Sequence, residues 1–146
     1  MKSVKTKPIV WSISGADCSG GAGIAADIKA GHALNVEMCH LITANTVQNA
    51  HKLVSVNPVE IGILRQQAQA LLEDKVPNVI KIGLVASRAQ ITWLTTLLSE
   101  LKQQYPSIKV VFDPVGSASV GGKFNDFELA ALANIWPLID LSLIHI

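Results

Sequence analysis

Residues 9–34 read IVWSISGADCSGGAGIAADIKAGHAL, and this stretch decides the fold class. Residues 9–14 are a continuous apolar-rich run that closes at Gly15, the pattern of a strand covered on both faces. Residues 19–23, Ser-Gly-Gly-Ala-Gly, interrupt regular structure, and residues 24–34 resume with Ile24 and Ile28 at helical spacing. Strand, glycine loop and helix follow one another directly.

The alternation continues outward. Residues 41–47 predict the next strand, after a turn near Asn35, and residues 53–56 a short alternating edge strand. Pro58 and Glu60 open a helix to about Glu73, with Ile61, Leu64, Ala68, Leu71 and Leu72 on one face. Residues 79–82 read as a buried strand. Ser87 caps a helix over residues 89–104 that carries Ile91, Leu94, Leu97, Leu98 and Leu101 on one stripe. A strand over residues 110–112 stops at Asp113-Pro114. Beyond a glycine-rich loop at 116–122, Asn125 or Asp126 caps a helix through Leu129, Leu132 and Ile135, which Pro137 ends. Strands alternating with helices predict an α/β fold with a largely parallel sheet and right-handed crossovers, and functional sites in such sheets lie at the carboxyl ends of the strands.

Composition narrows the function classes. The chain has 146 residues, 49% of them hydrophobic, which suits one core rather than two domains. Twelve basic against eleven acidic residues give a net charge of +1, and no long run of like charge asks for nucleic acid or an anionic membrane. No apolar stretch reaches the roughly 20 residues of a membrane span, and MKSVKTKPIV lacks the apolar core of a signal peptide. The expectation is a soluble cytoplasmic protein. Cys18 and Cys39 have no CxxC spacing, and His32, His40, His51 and His145 lack metal-ligand spacing, so neither zinc nor a disulfide framework is indicated.

Several polar residues stand where chemistry could occur. The glycine loop can bring backbone N–H groups close to a ligand, or serve only to pack helix on strand. It does not satisfy G-x-G-x-x-G, since Ala26 follows Gly21 and Gly23, which disfavours ordinary dinucleotide binding. Asp27 lies one helical turn after Gly23, where its carboxylate either reaches a ligand in the loop or is a solvated aspartate near a helix start. Gln48 and Asn49 end a buried strand, where an amide supplies a donor and an acceptor together to the edge of a polar ring, although Asn49 also suits a turn. Asp113 puts a carboxylate at the functional edge of the sheet, fit for Mg²⁺ or a phosphoryl group, or for a cap. The stretch from Gly116 to Lys123 is not a P-loop, because Gly122 precedes the lysine and Phe124 follows it.

The stretch SGADCSGGAGIAADIK at 14–29 resembles the opening of the hydroxymethylpyrimidine/phosphomethylpyrimidine kinase family, roughly GxDxSGGAGIxADxK. It is followed by ITANTVQN at 42–49, similar to that family's ITAxTxQN, then by KIGL at 81–84 and DPV at 113–115. The resemblance implies a ribokinase-like fold and the thiamine-pathway reaction: ATP-dependent phosphorylation of 4-amino-5-hydroxymethyl-2-methylpyrimidine and then of its monophosphate. It further implies that Ala22, Asp27, Thr46, Gln48, Leu84 and Val115 hold the pyrimidine, that Asp113 lies toward the ATP phosphates and Mg²⁺, and that the full-length enzyme is a homodimer.

The departures are also informative. The family's Gly-Thr-Gly-Cys-type loop, which forms the anion hole and supplies the catalytic cysteine, is absent, and neither Cys18 nor Cys39 has a matching context. Residues 116–122 depart from the family's Val-Met-x-x-x-Ser-Gly pattern, and residues 142–146, SLIHI, replace an expected Thr-Pro-Asn segment. The expectation is therefore the N-terminal, substrate-side part of one kinase domain, with residues from about 142 foreign to the family and no catalytic activity alone. A non-catalytic pyrimidine-binding module and a pyridoxal-kinase-like enzyme are the alternatives.

Overall fold

The computed structural model describes residues 5–115, 127 and 129–143. Among these residues six strands form one sheet in the order β3-β2-β1-β4-β5-β6. They are β1 (Ile9–Asp17), β2 (Glu37–Gln48), β3 (Leu53–Pro58), β4 (Val79–Ile82), β5 (Lys109–Phe112) and β6 (Leu141–Ser142). All neighbours pair parallel except β2 and β3, which form an antiparallel hairpin at one edge. The helices are α1 (Gly23–Ala33), α2 (Ile61–Asp74) and α3 (Arg88–Gln104).

Alternation along β1 and β4 divides the sheet into two unlike faces. Trp11, Ile13, Ile80 and Ile82 point into the main core, where Leu64 and Ala68 of α2 and Leu94 and Leu98 of α3 meet them. Each of the leucine and isoleucine side chains so withdrawn from water contributes about 1.5–3 kcal/mol. The opposite face of β1 carries Ser12 and Ser14, both buried, and receives α1. A polar seam between β1 and α1 therefore replaces the usual apolar one.

Local chemistry sets the helix starts. Ser87 Oγ accepts the Gln90 amide at 3.3 Å, the expected cap of α3, and the Glu60 carboxylate accepts the Gly62 amide at 3.0 Å to open α2. Asn35 takes a positive φ of 57° in the turn before β2. Gln90, fully buried, holds β2, β3 and the start of α3 together. Its Nε2 donates to the carbonyls of Thr43 (2.7 Å) and Val59 (3.2 Å), and its Oε1 accepts the Ala86 amide (2.9 Å).

The last predicted helix takes another form. Leu129–Leu132 and Trp136–Leu138 are two short 3-10 turns rather than one α-helix, and the amides of Ile135 and Leu138 bond three residues back, to Leu132 and Ile135. Pro137 has no amide proton, and its ring would collide with the carbonyl of Ala133 in an α-helix. The tighter winding still buries Leu132 and Ile135 and sets Trp136 against Phe112, with ring centroids 5.4 Å apart. The caps expected at Asn125 or Asp126 and the loop at 116–122 lie outside the described residues. Residues 141–143 extend the sheet: β6 pairs with β5, and the Leu143 amide donates to the Phe112 carbonyl at 2.9 Å.

Candidate functional site

The strand order identifies where a ligand can sit. From β1 the chain winds outward through β2 and β3, then returns to the other side of β1 as β4 and continues through β5 to β6. The reversal lies between β1 and β4, and the crevice beyond their carboxyl ends is the usual ligand position in open α/β sheets. A cavity of about 500 Å³ occupies that place. Every residue expected at the site lines it: Ala22, Asp27, Thr46, Gln48, Leu84, Asp113 and Val115.

The glycine loop forms one wall, and its chemistry differs from the expectation. The amides of Ser19 (2.9 Å), Gly21 (3.1 Å) and Ala22 (3.0 Å) already donate to the Asp17 carboxylate, as does the Ser19 hydroxyl (2.7 Å). Those three N–H groups are thus not offered to a ligand, and the loop is a shaped wall rather than an open anion cradle. Burial raises the Asp17 carboxyl, but the Ser19 hydroxyl and the amides of Ser19, Gly21 and Ala22 outweigh it and hold the group below its ordinary value. The negative charge also sits favourably at the start of α1, where the Ala22 side chain provides no cap. Gly23 turns the chain back at φ +60°, and a Cβ there would lie 2.1 Å from the Gly15 carbonyl oxygen.

Asp27 descends from α1 onto the polar face of β1. Its Oδ2 accepts the Ser12 hydroxyl at 2.5 Å and the Lys81 ammonium at 3.0 Å, so the solvated reading of this aspartate does not hold. Ser12 and Lys81 are register partners across β1 and β4 and project to the same face. On the facing wall, Gln48 Nε2 donates to Thr46 Oγ1 (2.7 Å), which donates to the Ala16 carbonyl (2.8 Å). The relay orients the Gln48 amide, whose Oε1 has no partner among the described residues. Asn49 performs the turn role, its Oδ1 accepting the amides of His51 (2.8 Å) and Lys52 (3.0 Å), although it too lines the cavity.

Leu84 forms an apolar wall, tied down by its amide to Ser14 Oγ (3.2 Å) and its carbonyl to Thr43 Oγ1 (2.6 Å). It packs over Gly15, where a Cβ would come within 2.6 Å of Leu84 Cδ2. Asp113 follows β5, and its amide prolongs the ladder to the Ile82 carbonyl at 2.8 Å. Its carboxylate, lining the cavity, has no hydrogen-bond partner among the described residues. Among those residues no group of three or more His, Cys, Asp or Glu side chains converges as a metal site, and none of the helices is long and apolar enough to cross a membrane. Cys18 and Cys39 are free thiols; Cys18 Sγ donates to the Gln48 carbonyl at 3.0 Å, joining the glycine loop to the end of β2.

Two residues of this arrangement, Asp17 and Lys81, are not among those singled out from the sequence. Each carried a signal. An aspartate two residues before a serine in a glycine-rich segment is the usual start of an Asx turn, and a lysine inside the otherwise apolar strand 79–82 requires a partner.

A family profile described as Phosphomethylpyrimidine kinase matches residues 17–141. A hydroxymethylpyrimidine/phosphomethylpyrimidine kinase of Bacillus subtilis is 34% identical over 128 residues, covering 85% of this chain and 45% of that protein. One of Rhizobium meliloti is 36% identical over 132 residues, covering 89% and 48%. The crystal structure of a Clostridium difficile phosphomethylpyrimidine kinase superposes with a TM-score of 0.76 at 31% identity, over 93% of this chain and 58% of that one. A Bacillus subtilis pyridoxal kinase, 22% identical with a TM-score of 0.76, shares the fold. The chain spans less than half the length of these curated relatives.

Proposed function

Because the chain belongs to the phosphomethylpyrimidine kinase family and has its ribokinase-like fold, we propose that its cavity is the pyrimidine site of a thiamine-pathway kinase. That enzyme phosphorylates 4-amino-5-hydroxymethyl-2-methylpyrimidine, and then its monophosphate, at the expense of ATP. The observation that carries this reading is the convergence, on one cavity at the switch point of the sheet, of Asp27, Gln48 and Asp113 with the four further positions that the family resemblance implies. In it, Ala22, Leu84 and Val115 supply an apolar slot for a planar ring, with convergent polar groups at its edges. Gln48, oriented by Thr46, reads the ring edge through Oε1, and Asp27 accepts from a ring substituent.

Asp113 is the residue that faces ATP and Mg²⁺. The donor set fits: Mg²⁺ at kinase sites takes one or two carboxylates together with phosphate oxygens, and Asp113 offers at a strand end a carboxylate that has no partner among the described residues. When bound, the ion neutralises charge on the transferring phosphoryl group. The chain's own residues hold the acceptor hydroxyl in place. The anion-hole loop of the family is not among these 146 residues, so the reading assigns this chain the substrate-side part of a single kinase domain that binds pyrimidine and does not turn over ATP by itself. For the full-length enzyme it extends to a homodimer in the cytoplasm, with the pyrimidine as the small-molecule partner.

Calorimetric titration of the chain with the hydroxymethyl aminopyrimidine, with pyridoxal as comparison ligand, tests the reading. Preferential binding of the pyrimidine is expected, and Gln48→Ala should weaken it by about 1–3 kcal/mol, the cost of a lost buried polar partner. Preference for pyridoxal, or equal affinity in the variant, refutes the assignment of the pocket or of Gln48.

A further inference from the structure

The charged floor of the cavity contains a pairing that the proposed reaction does not require. Asp27 Oδ2 takes both the Ser12 hydroxyl and the Lys81 ammonium, leaving Oδ1 without a partner among the described residues. The pair is largely shielded, with side-chain exposures of 24% for Lys81 and 19% for Asp27, and Ser12 beneath it is fully buried. A carboxylate in such surroundings strongly favours a compensating positive charge.

The lysine reaches this place because of Gly83. Lys81 and Gly83 lie on the same face of the β4 segment, and a Cβ at Gly83 would stand 3.1 Å from Lys81 Nζ and 2.2 Å from Ser14 Oγ. The missing side chain leaves the notch through which the ammonium passes over the strand toward Asp27. Lys81 also lines the cavity itself.

We propose that Lys81 is a specificity-determining positioning residue: by occupying Asp27 Oδ2 and compensating its charge, it reserves Oδ1 for an N–H donor of an uncharged aminopyrimidine and disfavours cationic heteroaromatic rings. This rests on the pyrimidine reading above. Without Lys81, the floor presents an uncompensated carboxylate, and a ring bearing a positive charge supplies what the ammonium supplied. Asp17 and Asp113 also line the cavity, but both are unchanged by a substitution at Lys81, so their attraction for cations cancels when variants are compared.

The test uses two probes at mildly alkaline pH, the neutral 4-amino-5-hydroxymethyl-2-methylpyrimidine and its ring N-methylated cation, titrated into the wild-type chain, Lys81→Met and Lys81→Arg. The quantity read is the change in the ratio of the two affinities from one protein to another, in which the steric contribution of the methyl group, common to all three, cancels. Lys81→Met should shift the ratio toward the cation by roughly tenfold or more, the scale of one unit charge a few ångströms away in a partly shielded site. Lys81→Arg should restore the wild-type ratio. A purely structural lysine would lower both affinities together, so an unchanged ratio in Lys81→Met overturns the proposal while leaving the pyrimidine site intact. If Lys81→Met does not fold, a ratio in Lys81→Arg that moves toward the cation overturns it equally. Binding of neither probe by a cooperatively folded wild-type chain overturns the proposal together with the reading beneath it.

Discussion

Replacing Asp17 by Ala removes the acceptor of four hydrogen bonds, from the amides of Ser19, Gly21 and Ala22 and from the Ser19 hydroxyl. A bond to a charged acceptor is worth about 1.5–3 kcal/mol where both partners are buried. Here the loop is mostly exposed, and water replaces much of what is lost, so the expected net cost is about 1–2 kcal/mol for the whole set. That corresponds to a factor of about 5–30 in the equilibrium between closed and open loop. Amide hydrogen exchange read by NMR measures it directly: Gly21 and Ala22 should exchange faster by that factor, while amides of β4 should not change. The loss should depend on pH with a defined sign. Because the folded carboxyl is held below its ordinary value, its contribution is complete above the unfolded value of about 3.9 and disappears as the pH falls through the lower folded value. Equal exchange at Gly21 and Ala22 in the two proteins near neutral pH would refute the assignment of Asp17 as the organiser of the loop.

Other expectations concern the frame around the cavity. Gly23→Ala places a Cβ 2.1 Å from a backbone oxygen at a positive φ, and should lower unfolding stability by about 2–5 kcal/mol in urea titrations. Gln90→Leu roughly keeps the volume but strands the Val59 carbonyl and the Ala86 amide and leaves the Thr43 carbonyl with the Val59 amide as its donor; a loss of about 2–3 kcal/mol is expected by the same assay. Asp140 is held below the ordinary carboxyl value chiefly by Lys102, against burial and with help from the Val110 amide and Lys109. Its contribution to holding β5 should therefore persist above about pH 4 and fade in stronger acid, and Asp140→Asn should flatten that part of the acid unfolding curve.

Much of this arrangement is legible in the sequence. The apolar periodicities of residues 61–73 and 89–104 emerge as α2 and α3 because each stripe has the sheet to cover it. The hairpin at residues 53–56 was expected as an edge strand and is one, longer by two residues. The helix expected through residues 129–135 failed because apolar spacing does not distinguish 3.6 from 3.0 residues per turn over so short a run, and Pro137, expected to end it, lies inside the second 3-10 turn. The opposing possibilities at Asp27 and Asn49 were also left to the structure, which gives the first an ion pair inside the cavity and the second a turn.

By itself, the sequence determined the alternation of strands and helices, the position of the glycine loop between β1 and α1, and the family whose motifs occur in order along the chain. These are properties of neighbouring residues: periodicity, turn chemistry and ordered motifs are all written locally. Only the tertiary structure decided that Lys81, more than fifty positions from Asp27, is its partner, and that the amides of the glycine loop are already taken by Asp17. A parallel sheet brings together residues distant in sequence through the register of its strands, and a hydrogen-bond donor can be counted as free only when every acceptor within its reach is known.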